Sequence, residues 1–427
     1  MDILIWISIG LMALLFLSGA PLAIAFGLGS GVIAMFVMGL SFENISQIFF
    51  SSVHSYPLLA CPFFILAGNL ILRSGGMVPL RNLMQALFGH WPGGLAVATT
   101  IFAAFLGSIS GSSAACVAII GTVLVPILLE SGYDRPFASG LTVTAGELGL
   151  LIPPSLFFII FGALNNISIA DLFLAGIGPG LVTTFFMCII AVFISKKRKY
   201  KTGVTATWAE RWQATKTAFP VLFMPILILG GIYSGKFSPT QAASVAVIYS
   251  VAIGLFVYRG LTIEGIKDSI VETMKISSMI YFLIIGSDLM GRMFGYIMLP
   301  QSICNWVMAM ELNPLNFLLF VNLLLLVMGF MFSSIPMVII VLPLFLPTVH
   351  SLGIDPVFYG VLAVMNSLIG EITPPFGPQL WVTAPICQEK IGAIAREAAP
   401  FLAAWVLGML VTTFIPGIAM FAVEFFR

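Results

Sequence analysis

The sequence predicts an all-α integral membrane protein built as two inverted-topology repeats, each with a re-entrant helical hairpin and a broken helix. Three observations predict it: long stretches free of charge, one internal offset shared by many residues, and Gly/Ser or Pro-Pro interruptions inside apolar segments. The 427 residues are 60% apolar and only 8% charged, where soluble domains are roughly a quarter charged. That excludes a water-soluble enzyme, and a net charge of +1 supplies no basic field for nucleic acid.

In chain order, residues 3–42, 44–72, 82–129, 172–195, 217–235, 237–258, 312–354 and 398–423 contain no Asp, Glu, Lys or Arg. Each can hold a span of about 20 residues and two of them can hold two, so about ten to fourteen membrane segments are expected. Residues 3–20 lack a basic leader and a small-residue cleavage site and read as a retained helix. Cys61, Cys116, Cys188, Cys304 and Cys387 are scattered through apolar stretches, and His54, His90 and His350 have no metal-type spacing. No transition-metal site is expected.

Lys196, Lys197, Arg198, Lys199, Lys201, Arg211 and Lys216 are seven of the eighteen basic residues. By the positive-inside rule, 196–216 is a cytoplasmic linker, and two readings of it stand: a topology-setting loop, or a surface for anionic lipid or a partner. It separates a first repeat, 1–195, from a second, 217–427. An offset of 221 residues superposes Pro126 on Pro347, Gly132 on Gly353, Asp134 on Asp355, Gly149 on Gly370, Pro153 and Pro154 on Pro374 and Pro375, and Pro179 on Pro400. Loop charges alternate between the copies: Arg135 follows the first Gly-x-Asp turn, whereas Lys390 and Arg396 follow the second broken helix. Corresponding loops then lie on opposite faces of the membrane.

The first interruption is Gly107-Ser108-Ile109-Ser110-Gly111-Ser112-Ser113, a poor helix interior. It reads as a hairpin tip at about 107–113, with two ordinary packed helices as the alternative. The offset places a second tip at about 331–336, around Ser333 and Ser334. Pro153-Pro154 breaks a helix at about 136–164 and Pro374-Pro375 one at about 357–386. Broken backbone at membrane depth is tolerated only inside protein or along a wet cavity, and half-helix ends suit ions and anionic groups. The pattern is that of a secondary transporter. Glu147 and Glu371 are the deepest carboxylates, with three roles open: cation or proton coupling, substrate recognition, or a structural hydrogen bond. Asp288 and Arg292, spaced i,i+4, should pair with each other.

Gly107–Ser113, Leu151-Ile152-Pro153-Pro154-Ser155, Asp171–Gly180 and Ile372-Thr373-Pro374-Pro375 together resemble the large membrane (M) subunit of tripartite ATP-independent periplasmic (TRAP) transporters, in the ion transporter superfamily. Gly19–Ala23, Pro62–Gly68 and Phe237–Ala242 extend the likeness over nearly the whole chain. The resemblance implies an elevator-type, Na⁺-coupled secondary importer of the bacterial inner membrane, with a scaffold and a mobile transport domain. It implies no enzymatic activity and no cofactor beyond Na⁺ as coupling ion. The implied partners are a small four-helix membrane subunit, expected as a separate polypeptide, and a periplasmic binding protein. The implied cargo is a small organic acid anion, a carboxylate or sulfonate.

Carried over by motif, Ser108, Ser110, Ser112, Ser113, Gly146 and Gly149 would form one cation site. Ser333, Ser334, Asn366, Gly370 and Thr373 would form the other. Substrate would sit between the tips, with Glu147, Glu371, Pro153, Pro154, Pro374 and Pro375 as substrate or coupling candidates. The sequence departs from the family's pattern in carrying acids at 147 and 371 and none beside Ser333. Two rival functions stand beside it: a self-sufficient Na⁺- or H⁺-coupled organic-anion transporter of the same superfamily, and an intramembrane serine hydrolase using Ser108 or Ser110 with His90 or His350. The hydrolase lacks a Gly-x-Ser-x-Gly elbow, and no His has a repeat counterpart.

Overall fold

The computed structural model describes residues 2–200, 205–329, 333–374 and 377–426, without the side chains of residues 2–6, 9 and 108–110. All secondary structure among the described residues is helical. Among the described residues, eight helical stretches are long and apolar enough to cross a membrane, including Arg135–Asn165, Ile169–Lys197, Ile263–Tyr296 and Ile391–Phe414. That is fewer than the ten to fourteen spans expected. The difference lies in apolar helices too short to cross, including Gly94–Gly107, Pro314–Gly329 and Ser334–Leu344, which are the arms flanking the two interruptions.

The repeats share backbone events as well as residues. Asp134 and Asp355 are both the N-caps of the helices that lead into the breaks. At the breaks, Ile152 and Thr373, again 221 apart, both turn to extended backbone with ψ of 124° and 126°. Pro179 and Pro400 sit inside the two long helices that follow, Ile169–Lys197 and Ile391–Phe414. Inversion is visible at one cluster. Arg198, just past the end of the first long helix, bonds both carboxylate oxygens of Glu397 at 2.8 Å, near the start of the second. It also reaches Asp134 at 3.3 Å, and Tyr200 donates to Asp134 at 2.5 Å. The end of one copy thus meets the beginning of its counterpart on the linker side, so the two helices run antiparallel.

Two groups of helices pack around this framework. Ile263–Tyr296 lies against Leu22–Phe36, where Gly286 lets its backbone approach Ala23 closely. It also meets the helix ending at Arg73, through Asn69 to Thr273 at 3.2 Å and Arg73 to Asp268 and Glu272 at 3.4 and 3.1 Å. Arg292 bonds Asp288 at 3.1 Å, the expected i,i+4 pair, and Ser52 donates to the same carboxylate at 2.8 Å. The second group holds the hairpins, the broken helices and both long helices, with Phe137, Phe158, Phe161, Phe401 and Trp405 fully buried in its core.

Candidate functional site

The first hairpin turns between helix Gly94–Ser110 and a helix that starts at Ser113. Gly111 takes φ of +59° at the turn, a left-handed value that glycine adopts without cost. Ser112 caps the returning arm, accepting from the Ala115 N–H at 3.4 Å. In the second repeat Ser333 holds the N-cap position of the arm that begins at Ser334, and makes no capping bond with its side chain.

These tips reach one buried polar cluster. Gln379, on the helix after the second break, donates Nε2 to Ser113 Oγ of the first tip and to Glu371 Oε2 at 3.4 Å. Glu371 accepts the backbone N–H of Ser334, the second tip, at 3.1 Å. Ser334 donates its hydroxyl to the Ser367 carbonyl at 2.8 Å. Glu147 is fully enclosed and lies close enough to Ser113 and Glu371 to interact with both. Neither Glu147 oxygen makes a hydrogen bond among the described residues. The Glu371 carboxylate lies at the start of the arm Ser334–Leu344, where the N–H group and dipole stabilise it.

Glycine sets the spacing around the cluster. A Cβ on Gly107 would lie 1.7 Å from the Gly149 Cα, so the first hairpin and the first broken helix touch backbone to backbone. Gly329 and Gly370 make the equivalent contact in the second repeat less tightly, with a Cβ on Gly370 reaching 2.6 Å from the Gly329 Cα. Gly146 faces the returning arm, where a Cβ would meet Val117 at 2.6 Å.

The expected site residues divide accordingly. Ser113, Ser334, Glu147 and Glu371 are brought together, with Gly146 and Gly149 forming the wall beside the first tip. Asn366 faces away: its Nδ2 donates to Asn322 Oδ1 at 2.8 Å, and Asn322 continues to Thr413 at 3.0 Å. Asn366 and Gly370, four residues apart, present the face of their helix that meets Pro314–Gly329, while Ser367 and Glu371 present the face that meets the tip. Thr373 returns its hydroxyl to the Ile369 carbonyl at 2.6 Å. Pro153 and Pro154, joined by a cis bond, are buried in the first break, and Pro374 forms the turn of the second. Pro375 and the side chains of Ser108 and Ser110 lie outside the described residues, as do Met331 and Phe332 of the second tip. Sequence reasoning missed Gln379, Ser367 and Asn322. The available signal was a lone amide in an apolar helix, which must find a partner when buried.

Two antiparallel repeats whose interrupted helices meet at a buried polar cluster define a secondary transporter of the membrane-embedded type. A family model described as the DctM component of tripartite ATP-independent periplasmic transporters matches residues 9–418, and the chain belongs to that family. It is a transport permease and not an enzyme, and a multi-pass inner-membrane protein. It is 35% identical to the C4-dicarboxylate TRAP transporter large permease protein DctM of Pseudomonas aeruginosa, over 88% of this chain and 87% of that one. It is 34% identical to the isethionate TRAP transporter permease protein DctMQ of Oleidesulfovibrio alaskensis, over 96% of this chain and 65% of that longer one. The YdaH transporter of Alcanivorax borkumensis has a similar structure, with a TM-score of 0.66 over 88% of this chain and 89% of that one at 17% identity. That likeness establishes a shared fold.

Proposed function

We propose that this chain is the large subunit of a Na⁺-coupled importer that moves a small organic acid anion, a carboxylate or sulfonate, delivered by a periplasmic binding protein. A small four-helix membrane subunit completes the complex, and the helices that carry the two hairpins move as an elevator against the rest. The observation that carries this reading is the convergence of both tips, Ser113 and Ser334, on one buried cluster through Gln379 and Glu371. The DctM family match and the substrates in its relatives' names, a C4-dicarboxylate and isethionate, support the cargo class.

The donor set suits Na⁺: serine hydroxyls, carboxylates, an amide oxygen and break-point carbonyls are hard oxygen ligands, without thiolate or imidazole. Bound there, Na⁺ supplies positive charge to a site whose own side chains are acidic. Ser113 and Ser334 anchor the tips, the Gly107–Gly149 and Gly329–Gly370 contacts hold the tips against the breaks, and the enclosing apolar helices exclude water.

Proteoliposome uptake of the ligand carried by the binding protein tests this. An inward Na⁺ gradient should drive uptake that stops when choline replaces Na⁺ or when the binding protein is omitted. Uptake that persists without either sinks the reading.

A further inference from the structure

Setting topology takes positive charge alone, and the helix Trp208–Tyr233 that leaves the 196–216 linker opens with more than charge. Trp208 and Trp212, in its first two turns, are 83% and 72% exposed. Phe219 and Ile226 are exposed as well. At 3.6 residues per turn all four fall within about 40° of one another, so one apolar stripe faces the lipid and ends in two indoles. Indoles gather at headgroup depth.

Two cations flank them. The Arg211 guanidinium stands 5.9 Å from the centre of the Trp208 ring, and its Nε is buried without a hydrogen-bond partner among the described residues. Lys216, one turn beyond Trp212, is exposed. Neither forms an ion pair, since the basic partners in ion pairs among the described residues are Arg73, Arg198 and Arg292. The acid next to Arg211 is already engaged, for Glu210 accepts the Thr207 N–H at 2.7 Å to close a capping box. The helix that enters the linker has the same plan: Leu181, Phe185, Ile189 and Phe193 are exposed at four-residue steps, and exposed Lys196 and Lys197 follow them. An occupant of the Trp208 face must offer an anion to Arg211 and Lys216 and hydrocarbon to the stripe below. Inorganic phosphate meets only the first condition, and a soluble protein has no use for a stripe that runs on to Ile226, about four turns deeper.

We propose that Trp208, Arg211, Trp212 and Lys216 form a headgroup site for an anionic phospholipid of the cytoplasmic leaflet, with its phosphate on the two cations and an acyl chain along Phe219 and Ile226. Arginine suits this place because its planar fork can stack on an indole and still bond phosphate oxygens. Lys216 adds a point charge that attracts the headgroup. A lipid held there fixes the depth of the helix, so the chain responds to the composition of the leaflet and not only to its thickness.

Tryptophan quenching by brominated lipid tests the site in the full-length chain, reconstituted in phosphatidylcholine vesicles with a minor fraction of phosphatidylglycerol and bromine on one lipid or the other. Subtracting the signal of Trp208→Phe with Trp212→Phe isolates the two indoles. Brominated phosphatidylglycerol should quench them beyond its share of the bilayer, as for association about tenfold stronger than that of phosphatidylcholine. Arg211→Gln with Lys216→Gln should abolish the excess. Lys267→Gln with Lys275→Gln should keep it, although equal charge is removed from the helix Ile263–Tyr296, whose start lies on the linker side where Tyr258 donates to the Thr217 carbonyl at 2.9 Å. Arg211→Lys, which keeps the charge and loses the fork, should lower the preference about threefold and carries the test if the double Gln variant does not fold. Quenching in proportion to bulk composition in the wild type, or equal loss in both double Gln variants, overturns the site. Loss of the excess on adding inorganic phosphate at constant ionic strength assigns the cations to a soluble anion and overturns it too.

Discussion

The first and second repeats present the same backbone around the same kind of break, yet they are finished differently. In the first, hairpin and broken helix meet with no gap at Gly107 and Gly149, and the nearby acid, Glu147, has no hydrogen-bond donor among the described residues. In the second, the glycine contact is looser and the acid, Glu371, holds the tip through Ser334. The repeat-equivalent of Glu147 is Leu368 and that of Glu371 is Leu150, so the two halves carry their acids at non-equivalent positions. What duplication preserved is the geometry of the breaks; what distinguishes the halves is how polar groups were added to it.

The largest expected effect separates the two glycine contacts. Gly149→Ala forces its Cβ to 2.1 Å from the Gly107 Cα, whereas Gly370→Ala leaves 2.6 Å to Gly329. Overpacking of this kind should cost about 3 kcal/mol in the first repeat and about 1 kcal/mol in the second. Thermal unfolding of the two variants in detergent measures the difference, and equal losses break the asymmetry.

A smaller effect separates the acids. Glu371→Leu strands the Ser334 N–H and should cost about 2 kcal/mol, seen as faster amide exchange at the second tip. Glu147→Leu removes a buried carboxyl whose oxygens make no hydrogen bond among the described residues and should leave stability unchanged or higher. Loss of stability in both variants would show that Glu147 is held in the same way as Glu371.

The smallest effects lie on the linker side, where the repeats are fastened to each other. Arg198 is about one third exposed and bidentate to Glu397. Arg198→Lys keeps the charge but loses the fork and should cost about 0.5 kcal/mol. Partial burial and the Asp134 carboxylate push the Tyr200 hydroxyl from 10.0 up to about 12. The folded state favours its protonated form, so its stabilising contribution is complete below pH 10 and is lost as pH rises to about 12. Alkaline unfolding of wild type against Tyr200→Phe, followed by tyrosinate absorbance, should show that loss in the wild type alone.

Much of this architecture was legible before any coordinates. Pro-Pro cannot continue a helix and a Gly/Ser run cannot sustain one, so the breaks and the first tip were local facts of the chain. The 221-residue offset then carried them to the second repeat, where Ser333 and Ser334 would have meant little alone. The cluster was only half legible. Ser113, Ser334, Glu147 and Glu371 stood out as polar residues in apolar segments, but which of them touch depends on helix rotation. A difference of one residue turned Ser367 toward the tip and Asn366 toward Asn322. Gln379 escaped notice because its role is long-range, bridging 266 positions to Ser113.

The Arg198 fastening bears on how the chain could be divided. The residue lies at the start of the 196–216 linker, just past the first repeat, but its forked bond is to Glu397 of the second. The covalent link beyond Tyr200 is thus not the sole tie between the halves. Two separately synthesised fragments, one ending after Tyr200 and one beginning before Trp208, would each carry their share of the mutual surface. They should reassemble without a peptide bond between them, as a split protein does.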